Sequence, residues 1–222
     1  MSGPSHFAES IEEDLEAVYR LEHEGPGVTT SGLASSLGVA PASVSGMLKK
    51  LAKDGYVEQV GRGEVKLTEK GLAVGVRVLR RHRLAERLLT DVLGMPWDQV
   101  HDEACMLEHA ISANVEAQLL KLLKDPTTCP HGQPIPPSDL SDPVRRGEPL
   151  AQVPEGTRGR VESVTEEFPE ILRYLADIGL RPGVEIRLEQ KAPLGGPLTI
   201  ALNGSRHAIS LELANLVTVL PA

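Results

Sequence analysis

The chain has 222 residues, enough for one large domain or two to three small ones, and its 41% hydrophobic content with only 3% aromatics predicts an aliphatic core. A net charge of −8 argues against non-specific coating of nucleic acid but leaves room for a local basic face. No apolar run approaches the roughly 20 residues of a membrane span, and the acidic, polar start MSGPSHFAESIEEDLE lacks the character of a secretory or transit peptide. The two cysteines sit in unlike settings, Cys105 on a helix face and Cys129 in a Pro-rich stretch, which predicts free thiols and a cytoplasmic protein.

Ile11, Leu15, Val18 and Leu21 recur at helical spacing and predict a first amphipathic helix. Thr29 or Thr30 can N-cap a second helix carrying Leu33, Ala34 and Leu37, and Gly38 ends it in a tight turn. A third helix follows, with Val44, Met47, Leu48 and Leu51 inward. Helix, short Gly turn, helix is a helix-turn-helix. Tyr56–Val60 and Val65–Leu67 around Gly61-Arg62-Gly63 then make a hairpin, the wing of a winged helix.

A DNA reader needs a helix for the major groove and cations for phosphates. The third helix opens with Ala40, Pro41, Ala42, Ser43, Ser45 and Gly46, small residues that can approach base edges closely. Thr29, at the start of the second helix, is a further contact candidate. Without Arg or Asn there for a bidentate base contact, direct readout is modest and DNA shape contributes. Lys49, Lys50, Lys53, Arg62 and Lys66 are the phosphate candidates. The competing reading is a winged helix used only for protein contact, its lysines simply solvated.

Residues 76–124 read as helix throughout, apart from a break at Gly94-Met95-Pro96. Within them HDEACMLEH, His101 to His109, places His101, Cys105, Glu108 and His109 within an arc of roughly 100° on an ideal helix. Two imidazoles, a thiol and a carboxylate are all transition-metal ligands. His101 and Glu108 are roughly 10 Å apart along the axis, so the face predicts one ion plus a bystander, or two ions. His82 and Glu86, at i and i+4, share another face; alone, they read more simply as a surface pair among arginines.

Residues 125–153 carry seven prolines and little periodicity, which predicts a mobile linker. From residue 154 onward short alternating segments predict a small β-rich domain, with one helix at PEILRYLADI, where Pro169 suits the first helical position.

RHRLAERLLTDVLGMPWDQVHDEACMLEHAIS, Arg81 to Ser112, resembles the dimerisation and metal-binding segment of the diphtheria toxin repressor family, metal-activated winged-helix repressors of iron or manganese homeostasis. The resemblance spans essentially the whole chain. It implies a mainly α protein with small β parts: a winged helix-turn-helix over 1–75, a helical dimerisation and metal-binding domain over 76–124, the linker, and an SH3-like, FeoA-type β-barrel over 154–222.

The resemblance assigns Cys105, Glu108 and His109 to the activating metal site. Counting back six residues from Tyr19 adds Glu13 from the first helix, and Glu16 falls where manganese-type members hold a second acid. His82, Glu86 and His101 match an ancillary site, completed by Glu166 or Glu167 of the C-terminal domain. Iron-type members carry Met where this chain has Glu13, but Cys where it has Cys105, so the chain is a hybrid. A carboxylate favours Mn²⁺ and a thiolate a softer ion; the reading leans to Mn²⁺, with Fe²⁺ next and two ions per subunit. The implied function is a metal-activated repressor of metal-uptake genes that binds palindromic operator DNA as a homodimer, with no membrane partner. The alternatives are a winged-helix regulator of an organic ligand and a helical di-metal hydrolase; the second lacks any sign of a substrate pocket.

Overall fold

The structure is a computed structural model that describes residues 6–23, 27–60, 64–141, 147–165 and 168–222, with side chains from residue 10 onward. The chain forms two compact units. One holds the residues up to His82 with Leu107–Asn114 and Pro136–Asp142; the other holds Arg83–Met106, Val115–Ile135 and the chain from Pro143 on.

The first unit begins with α1 (His6–His23), α2 (Thr30–Ser36) and α3 (Pro41–Lys53). Leu15, Val18, Leu33, Val44 and Leu51, at the spacings expected from the sequence, bury into one core with Val57 and Val65. Thr29 caps α2, its hydroxyl accepting from the Gly32 N–H at 3.0 Å. Pro41 stands at the start of α3, where its missing N–H costs nothing. β1 (Val57–Val60) and β2 (Glu64–Leu67) pair antiparallel, with Val57 opposite Leu67 and Val60 opposite Glu64. The tip of this wing, with Arg62, lies outside the described residues.

Thr68 then caps α4 (Glu69–Arg87): its hydroxyl accepts from the Gly71 N–H at 3.2 Å and donates to the Tyr56 carbonyl at 3.1 Å. Gly75 sets how closely α1 lies on α4. A Cβ there would come within 2.9 Å of the Leu15 carbonyl oxygen and 3.0 Å of the Tyr19 Cβ. With only a hydrogen at that position the two helices touch backbone to backbone, which brings the acidic face of α1 to His82, two turns further along α4.

Beyond His82, α4 continues to Arg87 and runs into a π-helical turn, Leu88–Val92. The expected break is longer than Gly94-Met95-Pro96, because Gly94 turns left-handed (φ +71°) and helix resumes only at α5 (His101–Glu108) and α6 (Ala113–Leu122). His109 therefore follows the last residue of α5 in a turn, and does not continue the helix.

The stretch from Thr127 to Ile135, expected to be mobile, is a tight hairpin. Ile135 N–H donates to Thr127 at 2.8 Å, Cys129 N–H to Gln133 at 2.8 Å and Gly132 N–H to Cys129 at 2.9 Å. Arginines of α4 hold its carbonyls: Arg83 donates to Pro134, and Arg87 to Thr128 at 2.6 Å and Cys129 at 3.1 Å. Repeated prolines hid this order from periodicity, because the segment is tied by its backbone to another element. Gly132 is left-handed (φ +82°), and a Cβ there would sit 2.1 Å from the Glu162 carbonyl oxygen. Gly132→Ala should therefore cost about 1–3 kcal/mol. Thermal unfolding checks this; an unchanged transition would mean that the hairpin yields.

The rest of the second unit is a six-stranded antiparallel sheet in the order β3-β8-β4-β5-β6-β7. Its strands are β3 (Glu148–Pro149), β4 (Arg158–Val164), β5 (Glu185–Lys191), β6 (Leu198–Leu202), β7 (Ser205–Ile209) and β8 (Val217–Pro221). Two helices accompany it: α7 (Pro169–Asp177), which was expected, and α8 (Leu211–Leu216), which was not. Six residues are too few to show a helical period; α8 is started by Ser210, whose hydroxyl accepts from the Leu213 N–H at 3.1 Å. The core joins Val161, Leu172, Leu175, Leu188 and Ile200 to Trp97. Among the described residues no helix is long and apolar enough to cross a membrane.

Candidate metal centres and DNA-reading face

The first unit gathers Glu16 of α1, His82 of α4 and Glu108 of α5, all buried, with ligand atoms within 4.8 Å of one another. His82 Nδ1 is 2.6 Å from Glu108 Oε2. Glu16 takes two bonds from Arg20, at 2.7 and 2.9 Å, which steady it at the base of the cluster. His109 stands beside them: its Nε2 is 3.3 Å from Glu108 Oε1 and 3.8 Å from Glu13 Oε1. That Nε2 is buried without a hydrogen-bond partner among the described residues. A buried ring nitrogen facing two carboxylates suits a cation, and the residues present fit a divalent ion.

Glu12, which no sequence pattern singles out from its acidic neighbours, orients this histidine. Its Oε2 is 2.9 Å from His109 Nδ1, and its Oε1 accepts from Arg77 at 3.0 Å. A carboxylate on the far nitrogen fixes the tautomer and leaves Nε2 as the ligand atom. Glu13 is 62% exposed, whereas Glu16 is 10% exposed, so of the two acids expected from α1 the buried one is the better placed. Cys105 lies one turn before Glu108 on α5, 3.6 Å from the Nε2 of His101.

Without an ion, burial raises the Glu108 carboxyl to about 7; the His82 hydrogen bond opposes this and the Glu16 charge adds to it. Its ordinary value is 4.5, so between pH 4.5 and 7 the folded chain holds a proton that the unfolded chain has lost. The contribution to stability is therefore fully present below that window and falls as pH rises through it. A metal must displace this proton, so affinity for Mn²⁺ should rise roughly tenfold per pH unit up to neutrality and then level. Competition titrations at pH 6, 7 and 8 check this; equal affinities would show that Glu108 has no proton to lose.

The second unit gathers Glu86, Cys129 and His131, also buried and within 4.8 Å of one another. Glu86 Oε1 is 3.3 Å from His131 Nδ1, and Cys129 Sγ is 3.9 Å from it. His131 Nε2 donates to the Trp97 carbonyl at 2.8 Å, which turns Nδ1 towards the other two groups. Burial lowers the pKa of this ring, but Cys129 and Glu86 outweigh it and push it up to about 10. One imidazole, one thiol and one carboxylate fit a borderline transition ion.

The resemblance had grouped Glu86 with His82 and His101 and left Cys129 and His131 aside; the hairpin brings these two to Glu86. The one sequence signal was the pair itself, a thiol and an imidazole two residues apart. Glu166 and Glu167, the expected completing residues, lie outside the described residues.

On the DNA-reading face, Ala40, Pro41, Ala42, Ser43, Ser45, Gly46, Lys49 and Lys50 are exposed along α3 while Val44 and Leu51 point inward. Ser45 donates to the Pro41 carbonyl at 3.1 Å, so it offers a base an acceptor more readily than a donor. Thr29 is committed to its cap, and Lys66 is exposed on β2.

Residues 6–65 match the family described as iron dependent repressor, N-terminal DNA binding domain. Residues 68–137 match its metal binding and dimerisation domain, and residues 148–221 match the FeoA domain. The chain is 35% identical over 232 residues to the iron-dependent repressor IdeR of Mycobacterium tuberculosis, covering 97% of this chain and 98% of that one. It is 32% identical over 227 residues to the diphtheria toxin repressor of Corynebacterium diphtheriae, covering 96% and 97%. A solved manganese-dependent transcriptional repressor in complex with manganese superposes with a TM-score of 0.88 at 31% identity, covering 96% and 100%.

Proposed function

From its place as a member of the iron-dependent, or diphtheria toxin, repressor family, to which this chain belongs as a metal-dependent transcriptional repressor and not an enzyme, we propose that it is activated by Mn²⁺, with Fe²⁺ the second choice. The observation that carries this is the buried cluster of Glu16, His82 and Glu108 beside the unsatisfied nitrogen of His109. Glu16 comes from the DNA-binding helices and the others from the dimerisation segment. An ion held by them, with Glu13 and Cys105 as further ligands, supplies the charge that lets two buried carboxylates stay ionised together. The buried carboxylates Glu16 and Glu108, with Glu13 beside them, are hard donors that favour Mn²⁺.

Fixing α1 against α4 sets the orientation of α3. In a homodimer that orientation fixes the distance between two recognition helices, which must match half-sites about one helical turn or a multiple apart. Metal and palindromic operator DNA are then reciprocally coupled. Ala40, Pro41, Ala42, Ser43, Ser45 and Gly46 approach the bases, and Lys49, Lys50, Arg62 and Lys66 the phosphates. The genes so repressed are those of metal uptake, silenced when the metal is plentiful. Glu86, Cys129 and His131 hold a second ion, giving two per subunit, with His101 and the acids at Glu166 and Glu167 as further candidates. Free Cys105 and Cys129 suit a reducing cytoplasm.

Operator binding followed by fluorescence anisotropy, with Mn²⁺, Fe²⁺, Co²⁺ and Zn²⁺ titrated anaerobically, tests this reading. Mn²⁺ should activate at the lowest free concentration consistent with its abundance, and Fe²⁺ next. Operator binding equal with and without every metal would overturn it.

A further inference from the structure

The sheet of the second unit carries a cavity of about 600 Å³ between β4, β5, the β6–β7 turn and the last residues of the chain. Three arginines line it, Arg158 and Arg160 from β4 and Arg187 from β5, against a single acid, Glu185. The register sets Arg158 directly opposite Arg187, and Arg187 opposite Ala201 on its other side. Like charges directly opposite on neighbouring strands are destabilising, and the small Ala201 leaves open space beside them.

None of the three guanidinium groups has a hydrogen-bond or ion-pair partner among the described residues. The other described arginines are engaged. Arg20 holds Glu16, Arg77 holds Glu12, Arg173 holds Asp98 and Arg206 holds Glu189. Arg83 and Arg87 hold carbonyls, and Arg181 lies over the Trp97 ring at 5.0 Å. In a chain of net charge −8, with acids to spare, three exposed arginines gathered at one cavity without an ion-pair partner among the described residues leave their charge to solvent or to a ligand.

We infer that this cavity binds a small polyanion with two or more anionic groups, phosphate or carboxylate, gripped by the forked donors of Arg158 and Arg187 and steered by Arg160. A guanidinium presents parallel N–H groups that match either anion bidentately. The volume falls within the roughly 300–1,000 Å³ of small-molecule sites. The site shares no lining residue with either metal cluster and stands whether or not the metal reading holds.

Isothermal titration of the metal-free full chain with pyrophosphate, and separately with tricarballylate, tests this; removing metal prevents chelation by the probes. At least one probe should saturate one site per chain, and which one does so distinguishes phosphate from carboxylate. Arg158→Gln and Arg187→Gln should each weaken binding at least about tenfold, since each removes a charge-assisted forked contact. Arg158→Lys, which keeps the charge and loses the fork, should fall between; it also serves if a Gln variant melts early. Lys121→Gln, on α6 and outside the cavity lining, should bind as the parent does. Failure of both probes to saturate, binding unchanged in the arginine variants, or binding lost in the lysine variant would each overturn the inference. So would tight binding of an octaglutamate peptide with neither small probe bound, which would make the face a strip for an acidic partner.

Discussion

Glu16→Ala should give a folded dimer whose grip on operator DNA no longer tightens when Mn²⁺ is added. If metal and operator are coupled by about 1–3 kcal/mol, the metal-dependent gain of about 5–150-fold should vanish. Folding survives because Arg20, left without Glu16, has a side chain that is 21% exposed and can turn to water. His109→Ala should have the same effect, since it removes a buried ring nitrogen that faces Glu108 and has no hydrogen-bond partner among the described residues. Glu13→Ala should cost less, because that carboxylate is mostly exposed and stands 3.8 Å from His109. Anisotropy with Mn²⁺ and with chelator, alongside sedimentation to confirm the dimer, measures all three. Full metal stimulation in Glu16→Ala would sink the assignment of this cluster as the activating centre.

The second large effect concerns Cys129. Cys129→Ala should lower the ions bound per chain from two to one and remove part of the thermal stabilisation that metal confers. An ion at 100 times its dissociation constant stabilises the folded state by about 2.7 kcal/mol, which disappears with the site. The cavity left is small, and the hairpin keeps its backbone bonds to Arg83 and Arg87. Metal analysis after equilibrium dialysis gives the count, and melting with and without Mn²⁺ or Zn²⁺ gives the stabilisation. Two ions still bound by Cys129→Ala would show that Glu86, Cys129 and His131 do not form a centre. Operator binding should respond less than in Glu16→Ala, because none of these three residues lies on the DNA-binding helices.

The helix-turn-helix was legible because its information is local. Leu15, Val18, Leu33, Val44 and Leu51 announce their helices by spacing alone, and the same spacing sends them inward. The ligand-rich run from His101 to His109 was legible for the same reason, although α5 stops at Glu108 and delivers His109 from a turn. Glu12 was not legible. Among the acids of α1, nothing in the sequence marks the one that meets His109 and Arg77 nearly 100 and 65 residues away. Nor was the order of the Pro-rich hairpin, because backbone carbonyls held by arginines leave no side-chain pattern to read.

By itself the sequence determined the kind of protein. A winged helix, a helix face of metal ligands and a β-rich tail follow from residue types at short spacings, and the repressor family follows from those motifs. Only the tertiary structure decided which candidate ligands come within reach of one another. Gly75 allows α1 to lie close on α4 and so brings Glu16 to His82 and Glu108, while the turn at Gly132 carries Cys129 and His131 to Glu86. A metal centre requires donor atoms a few ångströms apart, and for residues tens of positions apart that distance is set by how helices and hairpins pack.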